Sequence, residues 1–138
     1  MLLVRKKSRE IKLCVDFRNL NRASDKDNYL VPPMEKILQT VSGSELFLLL
    51  DGFSGYNQVL VAEEDMLKTT FKTKWGTFAY RRMPFGLINA GATFQRDMDI
   101  AFYGLIGRSV VVHLDDVTIF SKRREKHAFH LKQIFERF

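Results

Sequence analysis

Apolar residues in this 138-residue chain occur in short runs whose spacing alternates between strand-like and helix-like. Continuous apolar runs at positions 47–50 and 110–114 predict two strands that are buried on both faces. Asp51 follows the first run, and Asp115 and Asp116 interrupt the second before it resumes at 117–120. We therefore predict a β-hairpin with two acids at its tip. Segments 69–74 and 77–82 predict a second hairpin, with its turn at Trp75-Gly76.

Helical spacing appears in three places. Positions 34, 37, 38 and 41 predict a helix that opens after Pro32-Pro33 and stops at Gly43. A second helix is predicted from about Ala92 to the glycines at 104 and 107, and a third from near Ser121. The N-terminal region predicts a strand at roughly 11–17 emerging from a basic hairpin, followed by a polar loop over 19–33. Without a regular βαβ period, these elements indicate an α+β domain with a largely antiparallel sheet.

The composition of the chain limits the compartments and partners to be expected. The chain is 46% hydrophobic and 28% charged, which is ordinary for a globular domain. No apolar run approaches the roughly 18 residues of a membrane span, and no secretory signal is evident, so we expect no membrane partner. Cys14 is the only cysteine, which excludes an internal disulfide and favours a reducing compartment. An excess of 22 basic over 16 acidic residues favours a polyanionic partner.

The acids on the two strands suggest metal chemistry. If the strands lie side by side, Asp51, Asp115 and Asp116 converge, and a divalent metal would relieve their mutual repulsion. Mg²⁺ prefers such hard oxygen ligands, and a pair of ions can support nucleotidyl transfer. Taken alone, each site favours an ordinary turn over a metal site, because Asp-Gly after a strand and Asp-Asp at a hairpin tip are also turn signals.

Four segments in a fixed order resemble the reverse transcriptases of gypsy-type (Metaviridae) LTR retrotransposons, in a plant-like form. KLCVDFRNLNRAS resembles the fingers strand that precedes the palm, and FLLLDGFSGYNQV resembles the first catalytic motif. KTTFKTKWGTFAYRRMPFGLINAGATFQ resembles the fingers hairpin and the second motif, while VVVHLDDVTIFS resembles the third. HAFHLKQIFERF is similar to the helix after the third motif. The resemblance extends over essentially the whole chain.

This resemblance implies a truncated reverse transcriptase fold, with a polymerase palm of antiparallel sheet and helices plus part of the fingers. The fingers would comprise approximately 1–27 and 59–89, and the palm approximately 28–58 and 90–138. The thumb, connection and RNase H would be absent, as in an internal fragment. The implied activity is RNA-directed DNA polymerisation with two Mg²⁺ ions, or Mn²⁺. Implied partners are an RNA or DNA template with primer, dNTP and the remaining polyprotein. The parent element would act in a cytoplasmic virus-like particle.

The resemblance also assigns roles by position. The catalytic, metal-binding acids would be Asp51, Asp115 and Asp116, with the carbonyl of Gly52 beside the metal. The residues predicted to bind dNTP are Lys6, Lys12, Ser54, Gly55, Tyr56, Phe85 and Gly86. Tyr56 would be the aromatic gate that excludes a 2′-hydroxyl, or alternatively a packed core aromatic. The two lysines fit a solvated strand face as well. His113 and Leu114 would lie at the primer terminus.

One departure from the family leaves alternatives open. His113 stands where the third motif usually has Tyr, and histidine is smaller and titrates near neutrality. We expect the fragment to be inactive alone. The alternatives are a non-enzymatic degenerate retroelement relic that binds nucleic acid through charge, and a metal nuclease built on the same acids.

Overall fold

The computed structural model describes residues 2–5, 11–51, 53–114 and 116–137, with the backbone alone at positions 2, 4, 5, 12, 51, 53 and 54. The strands are β1 Leu2–Arg5, β2 Ile11–Cys14, β3 Leu46–Asp51, β4 Phe71–Thr73, β5 Gly76–Phe78, β6 Val110–His113 and β7 Asp116–Ser121. The helices are α1 Arg18–Ala23, α2 Met34–Val41, α3 Phe53–Tyr56, α4 Glu63–Met66, α5 Ala90–Ala101 and α6 His127–Phe135, with 3₁₀ turns at Leu67–Thr69 and Arg124–Lys126.

The chain divides into two structural units, 1–27 with 56–90 and 28–55 with 91–138. Every strand pairing between the named strands is antiparallel, so the predicted α+β class with antiparallel sheets is confirmed. The unit boundaries lie within three residues of the ranges given above for fingers and palm. No helix in the described ranges is long and apolar enough to cross a membrane.

The first unit contains two hairpins and a short helix. Strands β1 and β2 pair as the predicted N-terminal hairpin, although β2 ends at Cys14 and not near Phe17. Helix α1 lies where we predicted a polar loop, so that prediction was wrong. Its start is stabilised by the Asp16 carboxylate, which accepts a hydrogen bond from the Arg18 backbone N–H (3.1 Å). A six-residue helix without apolar periodicity leaves no hydrophobic signal in the sequence.

The second hairpin, β4–β5, confirms the predicted strand–turn–strand segment with shorter strands and a turn one residue earlier. Lys74 and Trp75 form the turn, and Gly76 opens β5 opposite Thr73. Gly76 has φ +143°, a conformation that residues with a side chain rarely adopt. The glycine therefore belongs to the paired strand and not to the turn itself.

The second unit is built on a three-stranded sheet in the order β3-β7-β6. The predicted burial is confirmed for β6, where residues 110–112 are buried, but it was wrong for β3. Phe47 and Leu49 are 46% and 71% exposed, and β3 is an edge strand of this sheet. An apolar run predicts a strand but not whether another layer covers its second face.

Helices of the second unit follow the predictions at most boundaries. Helix α2 opens after Pro33 and is followed by Gly43 with φ +72°, as predicted. Helix α5 begins two residues before the predicted start. Helix α6 begins at His127 and not near Ser121, because Ser121 is still the last residue of β7 and pairs with Leu46.

A buried polar cluster joins β7 to α6. The Ser121 hydroxyl lies 2.8 Å from His127 Nδ1 and 2.7 Å from His130 Nδ1, and Ser121 is fully buried. A serine hydroxyl has one hydrogen, so it donates to one imidazole and accepts from the Nδ1–H of the other. Burial, followed by the nearby His127 and Lys126, lowers the pKa of His130 from its ordinary value of 6.5.

This cluster predicts that acid destabilises the fold. Because the folded-state pKa of His130 is depressed, the unfolded chain binds more protons, and the free energy of unfolding should fall as the pH drops below about 6.5. Urea titrations at a series of pH values measure this. The control is His130→Asn, whose amide can replace Nδ1 without titrating, and it should flatten part of the dependence. Greater stability at lower pH would contradict the prediction.

Candidate active site at the end of the three-stranded sheet

The strand register brings two of the predicted acids to neighbouring positions. Asp51, the last residue of β3, lies directly opposite Asp116, the first residue of β7. Directly opposed residues in antiparallel sheets have Cα atoms about 4.5–5.5 Å apart. Asp115 and the Asp51 side chain lie outside the described residues. The backbone therefore juxtaposes positions 51 and 116 at one end of the sheet.

Apolar side chains determine this register. Val117 and Ile119 share one face of β7 and are completely buried, and a slip by one residue would turn both to the opposite face. Val117 pairs with Leu50 on one side and with Val112 on the other. The hydrophobic pattern of β7 thus fixes where its polar first residue meets the end of β3.

The hairpin tip between β6 and β7 has an uncommon backbone conformation. His113 pairs with Asp116, so the connection is the two-residue segment Leu114-Asp115. Leu114 has φ 53°, the positive value that two-residue hairpin turns require at their first position. This conformation costs a residue with a side chain roughly 1–2 kcal/mol. Such strain concentrates at functional sites, which makes the tip a candidate.

His113 forms a hydrogen bond that the sequence did not predict. Its Nδ1 lies 3.2 Å from the carbonyl oxygen of Pro32, just before α2. A carbonyl only accepts, so Nδ1 carries the hydrogen and donates it. His113 therefore connects the candidate hairpin to the start of α2. Its proposed position at a primer terminus, like that of the exposed Leu114, stays a prediction.

Three of the residues predicted to bind nucleotide lie in the first unit. Tyr56 is only 5% exposed, and its ring packs edge-on against Phe85 with centroids 4.8 Å apart. Gly86 follows with φ +98°, a conformation that favours glycine. The structure thus brings Tyr56 into contact with Phe85, the residue that directly precedes Gly86.

Asn21 is a residue of this region that sequence reasoning missed. Its side-chain Nδ2 donates to the Gly86 carbonyl (2.8 Å), and its Oδ1 accepts from the Ile88 N–H (2.9 Å). Both groups of the amide are used, so α1 holds the 86–88 loop in place. The signal was absent because an asparagine inside a polar segment resembles any turn residue.

Among the remaining predicted residues, Gly55 has a packing constraint of its own. A Cβ at Gly55 would lie 2.2 Å from Phe94 Cε2, so only glycine fits beside that buried ring. Lys6 and Gly52, together with the side chains of Lys12 and Ser54, lie outside the described residues. Elsewhere in the described part of the chain, no three His, Cys, Asp or Glu residues form a group that could hold a metal ion.

The donor chemistry at the sheet end fits a hard divalent cation. Carboxylate-bearing positions at 51 and 116 are neighbours in the sheet, and the acid at position 115 directly precedes Asp116 in sequence. Carboxylate oxygens are the ligands that Mg²⁺ prefers. The arrangement is therefore compatible with a Mg²⁺ site formed by the ends of β3 and the β6–β7 hairpin.

Comparison with known proteins shows which family this chain resembles. The family described as "Reverse transcriptase (RNA-dependent DNA polymerase)" matches residues 4–138. The Pol polyprotein of the Drosophila melanogaster transposon gypsy is 38% identical over 91% of this chain, which spans only 12% of that polyprotein. An RNA-directed DNA polymerase homolog of Oenothera berteroana is also 38% identical, over 91% of both chains.

Solved structures show the same fold. The prototype foamy virus protease–reverse transcriptase matches 98% of this chain with a TM-score of 0.81 and 20% identity, and this chain covers 18% of it. A foamy viral protease–reverse transcriptase in complex with double-stranded DNA matches with a TM-score of 0.84 and 18% identity, again over 98% of this chain and over 24% of the other.

Proposed function

Because the chain belongs to the reverse transcriptase (RNA-dependent DNA polymerase) family, we propose that it is part of the catalytic core of a gypsy-type retrotransposon polymerase, and that this core transfers dNTP onto a primer 3′-hydroxyl. The register that sets Asp51 opposite Asp116 carries the proposal. The 38% identity to the gypsy polyprotein supports the element type, and the equal identity to the Oenothera homolog supports a plant-like form.

In the proposed reaction, the carboxylates of Asp51, Asp115 and Asp116, with the carbonyl of Gly52, would hold two Mg²⁺ ions. Bound Mg²⁺ would activate the attacking oxygen and stabilise the leaving one. The protein's own task is mostly positioning, since the reacting atoms must be held about 3–3.5 Å apart. The His113 bond to Pro32 supports that task by restraining the strand that leads into the acids.

Nucleotide contacts are assigned to residues of both the fingers and the palm ranges. We propose that Lys6 and Lys12 contact the triphosphate, that Ser54 and Gly55 offer backbone N–H groups, and that Phe85 and Gly86 border the nucleotide and template. The template would be RNA or DNA with a primer, and the foamy viral protein that shares this fold has been solved with an RNA/DNA hybrid. The remaining polyprotein would complete the enzyme, in a cytoplasmic virus-like particle.

Primer extension tests the proposal. The 138-residue chain and a chimera in which it replaces the matching segment of the gypsy polyprotein (the gypsy chimera) are each given primed RNA template, dNTP and Mg²⁺. We expect the gypsy chimera to extend the primer and the isolated chain not to. Template cleavage without extension would indicate a nuclease. Binding without either reaction, even after His113→Tyr, would indicate a degenerate relic.

Tyr56 should govern sugar selection. In the gypsy chimera, Tyr56→Ala should raise ribonucleotide incorporation relative to dNTP by at least about tenfold, because removing the ring removes a clash of 1.4 kcal/mol or more with the 2′-hydroxyl. Tyr56→Phe, which keeps the ring against Phe85, should retain discrimination. Competition between rNTP and dNTP at one template position measures the ratio. Equal discrimination by all three proteins would make Tyr56 a core aromatic only.

A further inference from the structure

The positive charge of this chain is concentrated in one stretch. Residues 67–96 contain no Asp or Glu, and their six basic residues account for the whole net charge of +6, since 16 basic and 16 acidic residues remain outside the stretch. The six are Lys68, Lys72, Lys74, Arg81, Arg82 and Arg96. The β4–β5 hairpin lies inside this stretch, so it is the natural docking point for a polyanion.

An exposed tryptophan stands at the tip of this hairpin. Trp75 is 77% exposed, and the Lys74 ammonium lies 4.3 Å from the centroid of its ring. Tryptophan is highly buried on average, so this exposure is unusual for its residue type. A cation beside an open indole face is the combination by which proteins bind the bases and phosphates of single strands.

Hydrogen bonds within the turn hold the backbone that carries the indole. Thr73 Oγ1 accepts a hydrogen bond from the Trp75 N–H (3.1 Å) and donates one to the Gly76 carbonyl (3.1 Å), which closes the turn. At the base of the hairpin, the rings of Phe71 and Phe78 stack with centroids 6.0 Å apart. These contacts stabilise the hairpin without the Trp75 side chain, so the indole is available to a ligand before binding.

Basic side chains flank the indole along the same hairpin. Lys72 is exposed and lies opposite Thr77, which is also exposed. Within the described residues, no ion pair occupies Lys72, Lys74 or Arg81. Threonine and lysine side chains around one tryptophan provide little apolar area, which argues against insertion into a membrane.

We propose that the β4–β5 hairpin is a docking site for single-stranded nucleic acid, in which a base stacks on Trp75 while Lys72 and Lys74 contact the flanking phosphates. The choice of nucleic acid as partner rests on the proposed polymerase function. The hairpin belongs to the first unit, whereas the acids at the end of the three-stranded sheet belong to the second. It would bind unpaired template outside the primer duplex, without metal or dNTP.

Trp75 is the only tryptophan of the chain, so its fluorescence reports on this hairpin alone. Titrating the 138-residue chain with oligo(dT) of about 12 nucleotides, a length within single-strand site sizes, should quench the emission in the absence of Mg²⁺. An equal concentration of blunt duplex should quench less. Raising the salt concentration should weaken binding steeply. Unchanged emission at saturating oligonucleotide would overturn the proposal.

Variants of Trp75 distinguish base stacking from non-specific electrostatic attraction. Their affinity is measured by the fluorescence anisotropy of a fluorescein-labelled oligonucleotide. Trp75→Ala should weaken binding about five- to a hundredfold, the range for loss of one base stack, and Trp75→Phe should restore most of it. The control is Tyr103→Ala, since Tyr103 is similarly exposed (83%) but lies in the second unit. Equal affinity of Trp75→Ala and Tyr103→Ala would overturn the proposal.

Charge removal gives an independent readout. Lys72→Ala with Lys74→Ala should lower the slope of log affinity against log salt by about 1.4, and Lys36→Ala, a change on the exposed surface of α2, should leave it unchanged.

A blue shift of Trp75 emission with anionic vesicles and none of the oligonucleotide effects would assign a membrane partner and overturn the proposal. If the oligonucleotide quenches Trp75 emission but the gypsy chimera does not extend a primer, only the proposed polymerase function is refuted. If the chimera extends a primer but the oligonucleotide does not quench Trp75 emission, only the proposed docking site is refuted.

Discussion

Replacing Asp116 by asparagine should reduce primer extension by the gypsy chimera by at least about a thousandfold, because a lost metal-binding carboxylate removes several kcal/mol of transition-state stabilisation. Asp51→Asn should have a comparable effect, since the two residues are direct partners in the sheet. Asparagine preserves the size of the side chain, and apolar pairs such as Leu50 with Val117 maintain the register. Single-nucleotide extension rates at saturating dNTP and Mg²⁺ provide the measurement, with circular dichroism to check folding.

The double variant makes this prediction more discriminating. Residues that act as one unit show strongly non-additive losses, so Asp51→Asn with Asp116→Asn should be about as slow as the slower single variant. Independent roles would instead multiply the two losses. The matched control is Asp25→Asn, the same chemical change at an exposed position of the first unit, and its rate should equal that of the unchanged chimera. A wild-type rate for Asp51→Asn would leave Asp51 as a turn residue.

The second large effect is on stability. Gly55→Ala should lower the free energy of unfolding of the 138-residue chain by about 2–3 kcal/mol, the upper part of the range for overpacking a well-filled core. The added Cβ would lie 2.2 Å from Cε2 and 2.7 Å from Cζ of Phe94, whose ring is only 1% exposed. A buried ring has little room to retreat, so the strain would be shared by α3 and α5. Urea denaturation followed by circular dichroism measures the loss.

Two comparisons attribute the loss to this contact. Gly104→Ala adds the same methyl group where nothing lies within 4 Å, at φ +81°, and should cost only the roughly 1–2 kcal/mol of a left-handed backbone. Phe94→Leu shortens the obstructing side chain. Combined with Gly55→Ala, it should lose less stability than the two single changes added together, because residues in contact are coupled. Strict additivity would show that Phe94 does not oppose the methyl group.

Gly55 also has a second role in the proposed function, and the variants distinguish the two. We propose that its backbone N–H serves the triphosphate, whereas the described contact is with Phe94. If packing alone requires the glycine, Gly55→Ala with Phe94→Leu should recover activity in the gypsy chimera along with stability. If the backbone position also matters, stability should return while the KM for dNTP stays raised.

The local elements and the order of the motifs could be read from the sequence. Apolar runs specify β3, β6 and β7 as strands, although only β6 and β7 are buried along most of their length. Proline marks the start of α2 because its ring fixes φ, and Gly43 marks its end because glycine readily adopts a positive φ. The positions of Asp51, Asp115 and Asp116 at strand ends could also be read from the sequence, because these acids end or interrupt the apolar runs. Motif order and the resemblance then gave the family and its chemistry.

Which residues meet depends on tertiary packing. The pairing of Asp51 with Asp116 joins strands more than 60 positions apart, and although the pattern of β7 limits its register, it does not name β3 as the neighbouring strand. The hydrogen bonds of Asn21 to the 86–88 loop and the packing of Phe94 against Gly55 also join residues that are far apart in the sequence. Exposure of Leu49 on β3 likewise depends on whether a second layer covers the sheet. Local composition fixes what each segment can be, whereas contacts between distant segments depend on the packing of the whole unit.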